Sequence, residues 1–122
     1  MRHIHIWLYY QLHLWTEAPV QENQTWIRLH YPMILWSIDT LDWKTQDVES
    51  TVEEVMNNVK DGSIILMHDI FSTSVDAAEI LIPQLIEEGY QLVTVHELAS
   101  LHQTELSAGA TYGEFNYNNP RK

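Results

Sequence analysis

The pattern of apolar and polar positions divides the chain near Tyr31–Met33. Beyond that point, short apolar runs alternate with stripes of helical period. Met33-Ile34-Leu35-Trp36-Ser37-Ile38 is nearly continuous, which predicts a strand buried on both faces, as in a parallel sheet. Asp39, Asp42 and Lys44 then end it in a polar loop. Val48, Val52, Val55, Met56 and Val59 form one helical stripe, with Asp47 as its N-cap and Gly62 as its stop. Ser63-Ile64-Ile65-Leu66-Met67 predicts a second buried strand, ending at His68-Asp69. Val75, Ala78, Ile82, Leu85 and Ile86 mark a second helix closed by Gly89. Pro83 lies inside it, at a cost of up to about 3 kcal/mol unless a kink is accommodated. Tyr90-Gln91-Leu92-Val93 predicts a third strand, and Thr94-Val95-His96-Glu97 is a capping box opening a short helix through Leu101. Strand–helix alternation of this kind predicts an α/β fold with a parallel sheet.

The first thirty residues differ. Ile4, Ile6, Leu8, Tyr10, Leu12 and Leu14 alternate with His3, His5, Trp7, Tyr9, Gln11 and His13, which predicts an extended strand or hairpin arm with one apolar face. Glu17 to Arg28 follows neither period. At the other end, Ser107 to Lys122 is rich in Gly, Asn and Tyr and reads as an irregular, mobile tail.

Composition narrows the partners. With 122 residues the chain suits one domain or part of one. Six Lys and Arg against 17 Asp and Glu give a formal charge of −11, which argues against a nucleic-acid surface. The absence of Cys removes disulfides, Cys-ligated zinc and thiol nucleophiles together. No apolar run approaches the roughly 18 residues of a membrane span. A signal peptide is not expected either, because His3, His5 and His13 interrupt the apolar stretch after Arg2 and no small-residue cleavage site follows.

In a parallel α/β sheet, chemistry gathers at the carboxyl ends of the strands. Two strand ends carry suitable groups here: Asp39-Thr40-Leu41-Asp42-Trp43 and Leu66-Met67-His68-Asp69. A histidine at the end of a buried strand, beside a carboxylate from its neighbour, suits general acid or base work, although such a pair also arises for purely structural reasons.

These segments, with Gly89-Tyr90-Gln91-Leu92-Val93-Thr94-Val95, resemble the polysaccharide deacetylase family, the NodB-homology domain of chitin and peptidoglycan N-acetylglucosamine deacetylases. Asp42-Trp43 matches the family's fourth motif and Leu66-Met67-His68-Asp69 its fifth. The resemblance covers roughly residues 31–112, the C-terminal part of that domain. It implies a partial (β/α) barrel of about three strand–helix units, with an additional N-terminal extended segment at residues 1–30 and a flexible tail at 113–122. It also implies that His68 is the general acid protonating the departing sugar amine and that Asp42 orients it. Trp43 and Leu66 would line the pocket for the acetyl methyl. The implied partner is an N-acetylated glycan, and members of the family are commonly secreted or displayed at the cell surface.

The family's remaining motifs are missing. They supply adjacent aspartates, one a base and one a metal ligand, and two histidines four residues apart that hold a divalent metal, usually zinc. No Asp-Asp pair occurs, and no two of His3, His5, His13, His30, His68, His96 and His102 are four apart. Arg28-Leu29-His30-Tyr31-Pro32 is a faint echo of the third motif. The expectation is therefore no cofactor in this chain, and no turnover by the chain alone, as from a truncated or frame-shifted reading frame. His3 and His5 read as exposed or edge-strand residues rather than ligands, His96 as a surface residue, and His13 and His102 have no evident partner. Trp7, Tyr9, Tyr10 and Trp15 read as core or interface before they read as a sugar platform. Glu49, Glu53 and Glu54 form a solvated helix face. The alternative is a non-catalytic module that binds glycan or associates with itself through unpaired strand edges; a third is a chain that scarcely folds alone.

Overall fold

The computed structural model describes residues 1–8 and 31–115. The alternation beyond Leu8, His13, Trp15, Glu17 to Arg28, His30 and the last residues of the tail lie outside them. Chain order is β1 (Arg2–Leu8), β2 (Met33–Ile34), β3 (Ile38–Asp39), α1 (Asp42–Thr45), α2 (Val48–Asn58), β4 (Ile64–Met67), α3 (Ser72–Glu87), β5 (Tyr90–Leu92), α4 (Val95–Leu101) and β6 (Thr111–Tyr112). Four strands form one parallel sheet in the order β3-β4-β1-β5. The expected α/β class and parallel sheet are what the chain builds.

The N-terminal strand sits inside that sheet. β1 pairs with β4 from His5↔Ile64 to Leu8↔Met67 and with β5 from Arg2↔Tyr90 to Ile4↔Leu92. His3 and His5 are therefore half-buried on an interior strand, not exposed on an edge. Period two explains the burial on each face. Ile4 and Ile6 pack with Ile65, Met67, Val55, Ala77, Leu81 and Leu85 under α2 and α3. On the opposite face, α4 and residues 112–115 contribute Leu98, Ala99, Tyr112 and Phe115, packed on Ile64. Neighbouring residues of β4 thus serve different cores, which is why its apolar run is unbroken.

Three expectations change. The run Met33–Ile38 is not one strand: Met33 and Ile34 pair with β6, whereas Ile38 and Asp39 pair with β4. The stretch from Ser107 is not a loose tail as far as residue 115. Thr111–Tyr112 is a strand, Tyr112 and Phe115 are buried, and their rings stack at 5.6 Å. Gly62 makes that docking possible. Its φ of 90° suits glycine, and a Cβ there would collide with the Phe115 carbonyl oxygen. Finally, the inner stripe of α3 is Ser74, Ala77, Ala78, Leu81 and Leu85, while Val75 and Ile86 are exposed. The helix runs unbroken through Pro83. Local capping follows expectation: Ser50 N–H donates to Asp47 Oδ2 at 2.8 Å, and Glu97 N–H donates to Thr94 Oγ1 at 3.1 Å.

Candidate active site

The carboxyl ends of β3 and β4 are tied together before the site begins. Thr40, just past β3, donates its hydroxyl to the Leu66 carbonyl on β4 at 2.9 Å. Leu41 then turns the chain in the left-handed region, with φ of 53°, and its carbonyl accepts from Lys44 and Thr45 N–H at 3.0 Å. A leucine in that conformation costs of order 1–3 kcal/mol, so the surrounding contacts hold it there. Asp39 Oδ1 accepts the Leu41 N–H at 3.1 Å. The polar loop expected after β3 is thus a tight turn into α1, and its first helical residue, Asp42, points inward at 1 % exposure.

Four donors converge on the Asp42 carboxylate. Oδ1 accepts from the Trp43 N–H at 2.9 Å and pairs with His68 Nδ1 at 2.7 Å. Oδ2 accepts from the His68 N–H at 2.6 Å and from the Ser74 hydroxyl at 2.7 Å. An ionised carboxylate only accepts, so this arrangement puts the proton of the imidazole–carboxylate bond on Nδ1. His68 is itself buried, at 4 % exposure. Its Nδ1 is held against the Asp42 carboxylate, which sets the orientation of the ring. Chemically, the group is an oriented proton donor or acceptor at a strand end.

Asp42 and His68 therefore come together as expected, from residues 26 apart in sequence. Trp43 follows Asp42 on α1 and is 40 % exposed. Leu66 lies two residues before His68 on β4, is buried, and belongs to neither apolar core. Leu41 and Ile70, in the loops beyond β3 and β4, are exposed as well. Ser74 was missed. The heavier residues Val75, Ile82 and Ile86 dominate the apparent stripe, whereas the pattern Ser74, Ala77, Ala78, Leu81, Leu85 has the same helical period and places the hydroxyl inward.

The other histidines do different work. His5 Nδ1 lies 2.8 Å from the Val93 carbonyl. His102, for which the sequence offered no partner, is buried with Nε2 3.2 Å from Asp61 Oδ1. Among the described residues, no three His, Asp or Glu side chains gather to hold a metal ion. Both oxygens of Asp42 are already taken by donors. The described residues thus do not fit the divalent metal that the family resemblance implies. No helix among them is long and apolar enough to cross a membrane.

No family model matches the chain. Curated relatives do. The peptidoglycan-N-acetylmuramic acid deacetylase PdaC of Bacillus subtilis is 50% identical over 64 residues, covering 52% of this chain and 14% of the relative. The peptidoglycan-N-acetylglucosamine deacetylase PgdA of Listeria monocytogenes is 39% identical over 67 residues, covering 55% of this chain and 14% of the relative. Among solved structures, a deacetylase with substrate superposes with a TM-score of 0.65 at 44% identity, over 72% of this chain and 44% of the other. A family 4 acetyl xylan esterase from Clostridium thermocellum, in complex with cobalt, gives 0.61 at 30% identity, over 67% of this chain and 43% of the other. Over its matched portion the chain is similar to polysaccharide deacetylases and resembles part of their NodB-like domain. It spans about one-seventh of the length of the two curated relatives, whose 14% shares are given above.

Proposed function

We propose that this region is the acid side of a deacetylase-like site for an N-acetylated peptidoglycan sugar. His68 gives a proton to the departing amine and Asp42 holds the ring for that transfer. An amine is a poor leaving group until protonated, and a positioned general acid contributes about 10²–10⁴-fold to such a step. Trp43 and Leu66 border the space for the acetyl methyl. The observation that carries the reading is the 2.7 Å contact of His68 Nδ1 with a carboxylate already fixed by three other donors. The relatives' substrates, N-acetylmuramic acid and N-acetylglucosamine in peptidoglycan, supply the glycan class.

The side of the reaction that generates hydroxide has no donor set among the described residues. Acting alone, the chain binds the glycan without completing the hydrolysis. Two measurements on the full chain test this. Titration with N-acetylglucosamine oligomers quenches tryptophan fluorescence, and Trp43→Ala abolishes the response. Acetate release with zinc supplied stays at the buffer blank. A flat titration at millimolar oligomer contradicts the glycan assignment, and zinc-stimulated release contradicts the missing half.

A further inference from the structure

We infer that Ser74 is a positioning residue of this site, acting on His68 through Asp42. The inference rests on the reading of His68 as proton donor. Ser74 is fully buried in the first turn of α3, and its hydroxyl donates to Asp42 Oδ2 at 2.7 Å. The other three donors to Asp42 come from its own helix and from the end of β4: the backbone of Trp43 on α1, and the backbone and ring of His68. Ser74 alone brings a bond from a separate element, the 16-residue helix on the outer layer.

That difference gives it a defined task. The two backbone donors fix where the carboxyl group sits, one on each oxygen. Rotation of the carboxylate about its Cβ–Cγ bond would still weaken the ring contact on Oδ1 while Oδ2 found another angle on the His68 N–H. A second donor on Oδ2, approaching from α3, resists that rotation and keeps Oδ1 against Nδ1. The geometry also excludes a purely space-filling role, since a buried hydroxyl without an acceptor would cost more than the methyl that could replace it. Ala77 and Ala78 on the same face show that small apolar side chains are accepted there.

The test is long-range ¹H–¹⁵N NMR of the His68 ring in the full chain, at a pH where the imidazole is neutral. In the wild type the proton resides on Nδ1. Ser74→Ala lowers the Nδ1–H to Nε2–H ratio about threefold to tenfold, the equivalent of one neutral hydrogen bond, and Ser74→Thr restores it. Ser74→Cys keeps the volume with a much weaker donor, so it falls with Ala even if Ala proves unstable. A wild-type ratio in both Ala and Cys, with Nδ1–H still dominant, overturns the role of Ser74 and leaves the proton-donor reading standing. A wild-type ring protonated on Nε2 instead removes the Nδ1–H to Oδ1 bond and overturns the reading of Asp42 as the group that orients His68.

Discussion

The sheet carries a histidine–carboxylate pair at each end, and the two are built differently. At the carboxyl ends of the strands, His68 and Asp42 are both buried and lie 2.7 Å apart. Each oxygen of Asp42 meets two donors. At the amino ends, His102 is buried but Asp61 is one-third exposed, and the contact stretches to 3.2 Å. The same Asp61 oxygen also accepts the His3 N–H at 2.8 Å, so it joins β1, the turn before β4 and the end of α4. The amino-end pair is a clasp between chain segments. The carboxyl-end pair is enclosed by groups that fix one ring in one orientation, and it lies where loops converge on a ligand in parallel sheets. A histidine beside an acid is therefore not enough to define a site; its burial, its saturation and the end of the sheet on which it lies decide.

The comparison can be broken by mutation. Asp42→Ala strands the ring, two backbone donors and a hydroxyl in a closed interior, and denaturant unfolding is expected to lose about 3–5 kcal/mol. Asp61→Ala removes an acceptor that water can replace, and about 1 kcal/mol is expected by the same measurement. Equal losses would make the two pairs energetically alike and erase the distinction.

Much of this arrangement was legible in order, and little of it in space. Asp47 and Thr94 announced their helices because a cap acts within three residues of itself. The strand end at His68 was visible because a buried parallel strand is an unbroken apolar run that stops abruptly. Ser74 escaped because the two stripes along α3 share Ala78 and Leu85, and the larger Val75 and Ile86 draw the pattern toward an edge that is exposed. The split of Met33–Ile38 depends on β6, far along the chain, and an apolar run alone does not say which partner each half will find. The clasp of His102 on Asp61 likewise joins residues that no local pattern relates. β1 drew attention as an alternating strand, but its place between β4 and β5 is a matter of long-range pairing.

The most direct test moves this site into a relative named as a deacetylase. In the Bacillus subtilis deacetylase PdaC, the segment matching this chain is replaced by this chain's own residues, and acetate release is followed with and without His68→Ala. The account predicts that the grafted enzyme turns over and that His68→Ala slows it about 10²–10⁴-fold with the fold intact. A folded His68→Ala graft that works within about twofold of its parent, far less than a general acid contributes, would contradict it.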